Sequence, residues 1–350
     1  MTLSLHKLDL RDGVVDLSHG AGSRATAQLI AELFFRHLGN PYLGRGDDGA
    51  VLPLPGFDPT RGRIVVATDA HVVTPLFFAG GDIGSLSVHG TINDVAVMGA
   101  QPLYLTASFI LEEGFPLADL DRIVASMGKA AREAGVPVVA GDTKVVERGK
   151  GDGVYIATTG VGILPTGVEL GGARARPGDA LLVSGTLGDH GVAILSQREN
   201  LSFSAPIVSD SAALHTLVAQ VLATGADIRC LRDPTRGGLA GTLHEIAQQS
   251  NVGITLRESA LPIHPVVAGA CELLGIDPLY IANEGKLVVV CAAQDAARVL
   301  AALRAHPLGS NAALIGIVVD DPHRFVQVDT AMGGRRIVDW LSADQLPRIC

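Results

Sequence analysis

One break organises this chain. Residues 165–178 hold Pro165-Thr166-Gly167 and then Gly171-Gly172-Ala173-Arg174-Ala175-Arg176-Pro177-Gly178, a stretch that continues neither a strand nor a helix. Strands and helices alternate on both sides of it. Before it, apolar residues at Leu29, Ile30, Leu33, Phe34 and Leu38 have helical spacing. They predict a helix over 23–38, capped by Ser23 and stopped by Gly39-Asn40-Pro41. Strands are predicted at 63–67, 102–110, 136–140 and 154–164, with helices at 82–98 and 116–134. After the break the pattern restarts. Strands fall at 181–184, 253–256, 287–291, 313–319 and 324–328, and helices near 189–198, 210–223, 237–249, 264–274 and 294–305. Such a chain folds as α+β in two domains, 1–170 and 171–333. Residues 334–350, with three arginines and Pro347, read as a tail.

With 350 residues, 47% of them hydrophobic, the chain has material for two cores and is not a disordered polymer. Acids exceed bases 36 to 27, and a net charge of −9 argues against a nucleic-acid binder. The N-terminus has no signal-peptide pattern, and the apolar run 287–293 is too short to span a membrane. The four cysteines, at 230, 271, 291 and 350, show neither metal-ligand spacing nor a disulfide framework. A cytoplasmic protein with reduced thiols is expected.

Two glycine fingerprints do not carry a nucleotide site. Gly44-x-Gly46-x-x-Gly49 is followed by Pro53 and Pro55, so no helix starts there. Gly20-x-Gly22-x-x-Ala25 opens a helix but has too short a strand before it. The acids say more. Asp47-Asp48-Gly49 precedes an apolar segment, and Thr68-Asp69 lies at a strand end. Asn93-Asp94 lies inside a helix, Asp142-Thr143-Lys144 follows a strand, and Asp233-Pro234-Thr235-Arg236-Gly237-Gly238 precedes a helix. Each alone is an ordinary turn or cap. Together they imply carboxylates gathered at one sheet edge, where mutual repulsion calls for a cation. Mg²⁺ suits such oxygen donors and bridges them to nucleotide phosphates. Lys144 beside Asp142 is placed to pair with phosphate or carboxylate. Glu284, in Ala282-Asn283-Glu284-Gly285-Lys286, reads on its own as a surface turn acid. The internal cysteines read as buried inert thiols. Cys350 is a thiol on a tail, able to carry a covalently bound group between sites.

The ordered motifs DLSHGAGSRA, GDDGAV, TDAHVV, HGTINDVAVMGA, VVAGDTKVV, RDPTRGGLA, ANEGKL and the terminal PRIC resemble the hydrogenase maturation factor family HypE over essentially the whole chain. The inner motifs also resemble the wider superfamily of aminoimidazole ribonucleotide synthetase, selenophosphate synthetase and thiamine-monophosphate kinase. The terminal cysteine separates HypE from these. The resemblance implies a two-domain PurM-like fold, a homodimer built on N-terminal sheets, and ATP with Mg²⁺ in a groove of that domain. It also implies a carbamoyl group received on Cys350 from a HypF-type carbamoyltransferase and dehydrated to a thiocyanate with ATP. The cyano group would then pass to iron on a HypC–HypD complex, for [NiFe]-hydrogenase.

By motif, Asp47, Asp48, Asp69, Asp94, Asp142 and Asp233 would serve Mg²⁺ and phosphate, with the metal on Asp47, Asp94 and Asp142. Asn93 and Thr143 would contact phosphate or orient the site. Lys144 would stabilise charge or move a proton, Glu284 would be the base, and His89 a further candidate. Gly20 and Gly22 would belong to a loop over the nucleotide. Ser23 replaces a glycine usual in that loop. A small-molecule kinase or ATP-dependent synthetase of the same superfamily is the alternative, and a non-enzymatic carrier a third reading.

Overall fold

The computed structural model describes residues 17–20, 22–53, 62–201, 205–341 and 348–350. The first helical segment runs as α1 (Arg24–Leu29), a π-helical turn over Ile30–Phe34, and α2 (Phe35–Leu38). One sheet follows, made of β1 (Ala50–Leu52), β2 (Arg63–His71), β5 (Gln101–Glu112), β6 (Val138–Val146) and β7 (Val154–Leu164) in the order β1-β2-β7-β5-β6. A small ribbon of β3 (Phe77–Phe78) and β4 (Gly81–Asp82) leads into α3 (Ile83–Val97), and α4 (Leu117–Ala134) joins β5 to β6. That pair is parallel because a helical crossover connects it; the sheet's other pairs are antiparallel.

The second sheet takes β8 (Ala180–Val183), β9 (Ile228–Arg232), β10 (Gly253–Arg257), β11 (Val288–Cys291), β12 (Ala313–Val319), β13 (Val326–Asp329) and β14 (Arg335–Ile337) in the order β14-β13-β10-β12-β8-β11-β9. Its helices are α5 (Asp189–Arg198), α6 (His215–Ala223), α7 (Gly238–Ser250), α8 (Pro265–Leu274) and α9 (Ala296–Arg304).

Helix α3 positions the site. Asp82 caps it by accepting a hydrogen bond from Ser85 N–H at 2.9 Å. It is apolar on nearly every side because it is covered on nearly every side, by β2 and β7, by α4 and by α6 of the second half. β7 accepts this close packing through Gly160 and Gly162. A Cβ at Gly162 would lie 2.5 Å from the Val95 side chain. Ala96 and Val97 of the same helix belong to the second half's core.

Three expectations need correction. Asp142, Thr143 and Lys144 do not follow a strand but lie inside β6, which stays paired to β5 as far as Val146. Residues 210–214 are not helical, and α6 begins at His215. The final segment is not wholly a tail. Arg335–Ile337 pairs with β13, Val338 is buried, and Trp340 stacks on His244 at 5.6 Å. Residues 342–347, Pro347 among them, lie outside the described residues. The last three residues are docked between the first half, where Ile349 bridges Val73, and α5 of the second.

Candidate active site

Five carboxylates meet between the two halves. Asp48 comes from the turn before β1, Asp69 from β2, Asp94 from α3, Asp233 from the turn after β9, and Glu284 from the segment before β11. Gly90, one turn before Asp94, faces the Asp69–His71 pair, and a Cβ there would lie 3.0 Å from His71 Nε2. Burial raises the Asp94 carboxyl well above the usual range, and the charges of Asp233, Asp69, Asp48 and Glu284 raise it further. Burial, with Asp48, pushes Asp233 up to about 8. Glu284 is 2% exposed, and burial, Asp233, Asp69 and Asp210 hold its carboxyl well above the ordinary value. Asp69 is the exception. Burial opposes its ionisation, but His71, with Nε2 at 3.2 Å, the Ala70 N–H and the Arg236 charge together outweigh this and hold it low. Glu284 is therefore no surface turn acid.

Arg232 ties the halves together. It is buried, bonds Asp48 through Nη1, and donates to Gly46 O at 2.8 Å. Burial still leaves the Asp48 carboxyl above its ordinary value. Asp47 accepts from Gly172 N–H at 3.1 Å and lies 4.0 Å from Arg232 Nη2. Asn93 is fully buried and clips Glu284 in place. Its Nδ2 donates to Glu284 O at 3.3 Å and Ala212 O at 3.0 Å, and its Oδ1 accepts from Leu214 N–H. Every side-chain bond of Asn93 described here goes to backbone, which makes it an orienting residue.

Several expected site residues stand apart in this chain. Asp142 and Lys144 pair at 2.6 Å on the exposed edge of β6, and Thr143 lies between them. That pairing, with the Thr143 N–H, holds the Asp142 carboxyl low, and none of the buried carboxylates acts on it. A metal set of Asp47, Asp94 and Asp142 is therefore not brought together. His89 is bonded to Ser211 Oγ at 2.9 Å, and burial, with His215, lowers it to about 4; it packs as a neutral histidine. Gly20 ends a 3-10 turn, Leu17–Gly20. Gly22 has φ +63° and lies against the 236–237 backbone, where a Cβ would meet Arg236 O at 2.7 Å. Ser23 has φ −105°, so the glycine it replaces is not required.

Asp48 Oδ2, Asp233 Oδ2 and Glu284 Oε1 are buried with no hydrogen-bond partner. Oxygen acceptors orphaned this way fit a hard divalent cation. Among the described residues no three His, Cys, Asp or Glu side chains are closed into a ready metal cage. A cation here would complete its shell with phosphate oxygens and water, which is how Mg²⁺ ordinarily binds.

The terminal cysteine reaches this cluster. Val72 N–H, three residues after Asp69, donates to Cys350 O at 2.9 Å. Arg236 Nη1 lies 3.6 Å from Cys350 Sγ. The Arg236 charge also acts on Asp69 and Glu284. The sulfur, a cation and the carboxylates therefore share one site. In sequence the motif Asp233–Gly238 points only to its aspartate, because nothing local marks Arg236 as a partner of the terminal sulfur. Asp210, which accepts from Glu284 N–H at 3.0 Å and pairs with Lys286 at 2.9 Å, carries no sequence motif either. The other thiols are buried, and burial raises Cys230, Cys271 and Cys291 to about 12, 11 and 12. No helix among the described residues is long and apolar enough to cross a membrane.

The two halves place the chain in the class of AIR synthase related proteins. The N-terminal domain of that family matches residues 46–164 and its C-terminal domain residues 176–329. Within that class, carbamoyl dehydratase HypE of Cupriavidus necator is 65% identical over 343 residues, covering 98% of this chain and 97% of its own. A crystal structure of HypE in complex with ATP superposes with TM-score 0.80 at 50% identity, over 96% of this chain and 100% of that one. The structure of a HypE–HypF complex gives TM-score 0.84 at 48% identity, over 89% and 99%. The chain belongs to the HypE family.

Proposed function

We propose that this protein is an ATP-dependent carbamoyl dehydratase acting on its own Cys350, converting an S-carboxamide to a thiocyanate that supplies the cyanide ligand of the [NiFe]-hydrogenase iron. The observation that carries this reading is the docking of Cys350 Sγ beside Arg236 at the edge of the carboxylate cluster. An amide oxygen is a poor leaving group. Transfer of the γ-phosphoryl of ATP to it makes phosphate the leaving group and releases ADP. One N–H proton is lost as the oxygen is phosphorylated, and removal of the second, as the C–O bond breaks and phosphate departs, leaves C≡N on sulfur. Mg²⁺ would be held by Asp48, Asp94 and Asp233 and would supply charge neutralisation for the phosphates. Arg236 holds the group on sulfur and offsets negative charge at its oxygen. Glu284 accepts a proton, its basicity raised by the burial that keeps water away.

The resemblance assigned the cation role to Lys144, which lies outside this cluster. We assign Lys144, with Asp142 and Thr143, to the dimer face. β6 ends its sheet, and Val139 and Val145 on it are exposed, so a second copy would cover an otherwise open edge. In the dimer Lys144 would serve the partner's site. Mixing inactive Lys144→Ala with inactive Glu284→Gln protein should then restore up to about a quarter of the wild-type rate, from mixed dimers with one intact site. If Lys144 acts in its own chain, each mixed dimer has no intact site and no activity returns. The carbamoyl donor would be a HypF-type carbamoyltransferase and the acceptor a HypC–HypD complex.

The test is intact mass of the C-terminal peptide after carbamoylation and addition of MgATP. Loss of one water is expected, with no carbamoylated species at all in Cys350→Ala. A carbamoylated peptide that never loses water, although the protein binds ATP competently, would sink the mechanism.

A further inference from the structure

We propose that a main-chain clamp, centred on His190 and Arg198 of α5, binds the terminal tripeptide Arg348-Ile349-Cys350 and selects it through one side chain, Ile349. This rests on the reading of Cys350 as the carrier of the reacting group.

The backbone carbonyls of all three residues are occupied. Arg348 O accepts from Thr74 N–H at 3.1 Å and from Arg198 Nη2 at 2.8 Å. Ile349 O is bonded by His190 Nε2 at 2.7 Å, and Cys350 O by Val72 N–H at 2.9 Å. A carbonyl only accepts, so His190 carries its proton on Nε2, and Nδ1 accepts from Ser209 Oγ at 2.7 Å. Ser209 is itself oriented by Ser211 N–H at 3.1 Å, and its own N–H donates to Ala79 O at 2.8 Å. Phe78 stands edge-on to the imidazole at 5.5 Å. Burial lowers His190 below its ordinary pKa, in keeping with the neutral donor form. Arg198 also donates twice to Thr74 O, so it joins the tail to the segment the tail pairs with.

The side chains are treated unequally. Ile349 is 3% exposed, in a cluster with Val73, Phe78, Ile83 and Ile194. Arg348 is directed outward to Asp152, and both side chains are over 40% exposed. Exposed pairs of this kind add little. The clamp therefore reads backbone and one apolar anchor. It sets the carrier cysteine one residue beyond that anchor, which is the register that brings the sulfur to Arg236. Ser209 and Asp210 are adjacent, so the element that holds the tail also holds Glu284 N–H.

The test uses the full-length protein without a carbamoyl group, following hydrogen exchange at Val72 and Thr74, the two amides that bond the tail. Ile349→Ala, which alters only the tail, should speed exchange there by about tenfold. Arg198→Ala should do so by about fivefold. His190→Ala should also loosen the tail, and His190→Gln should recover part of the loss because its amide still donates. Asp152→Asn should stay within about twofold. After carbamoylation, the water-loss rates should fall in the same order while MgATP affinity is unchanged. Wild-type exchange at both amides in Ile349→Ala, or loosening by Asp152→Asn as great as by Arg198→Ala, would overturn the proposal. Exchange is read without chemistry, so a wild-type protein that protects both amides yet never loses water would remove the carrier reading and leave the clamp standing.

Discussion

Glu284→Gln is expected to leave the tail carbamoylated and to slow its loss of water by about 10²–10⁴-fold, the range for removing a positioned general base. The substitution keeps shape and burial and deletes only the proton acceptor. The segment should hold, because it is bonded through backbone, from Glu284 N–H to Asp210 and from Asn93 to Glu284 O. A pH profile separates this from a positioning effect. Burial, Asp233, Asp69 and Asp210 keep the proton on Glu284 well above the ordinary carboxylate range, with Arg236 opposing. A base works only after that proton leaves, so the wild-type rate should rise with pH through the raised value. In the Gln variant the residual rate should lose that rise. A Gln variant with near wild-type turnover would end the assignment of Glu284 as base.

Asp233→Asn should change stability and nucleotide binding in opposite directions. In the folded protein the carboxyl is held at about 8 by burial and by Asp48, against an ordinary value of 3.8. Between those values the unfolded chain has lost the proton and the folded chain keeps it. Stability linked to this group is full below 3.8 and falls as pH rises towards about 8. A carboxamide has no such proton to lose. Thermal melts without nucleotide should show the wild type losing stability from pH 5 to pH 8. The variant should lose less and be more stable at pH 8, by an amount on the order of a few kcal/mol. MgATP should reverse the ranking, because a cation stabilises the ionised carboxylates that repel one another without it. Affinity for MgATP should fall by at least about tenfold in the variant. Equal pH dependence in the two proteins would show that Asp233 ionises as freely in the fold as outside it.

Much of the architecture was legible from local signals. The break at 165–178 separates the two sheets, and α3, α4, α5 and α7 lie within two residues of their predicted bounds. Burial of the internal cysteines followed from their apolar surroundings. Strand ends were less legible. The 136–140 strand runs on to Val146 because β5 beside it supplies partners throughout, and pairing with a distant strand leaves no local mark. β9 leaves no clear local signal, since Arg229 and Arg232 interrupt a short apolar run; Arg232 is held inside the fold by Asp48 and Gly46 O, which lie opposite it.

The candidate site divides in the same way. The sequence by itself determined which acids were available, that a thiol ends the chain, and the helix and turn that carry Asp94 and Asp233. It also placed the chain's motifs among those of one family. Only the tertiary structure decided which of these groups meet. One sheet edge does not gather the acids, as local reasoning implied. α3 is packed between the first sheet and the second half, and that docking brings Asp94 and Asp69 to Asp233 and Glu284. The same docking buries Asp233, turns Glu284 from an apparent surface acid into a buried one, and leaves Asp142 and Lys144 outside. Proton affinity and proximity depend on what surrounds a side chain in space, and a residue's neighbours along the chain do not specify that.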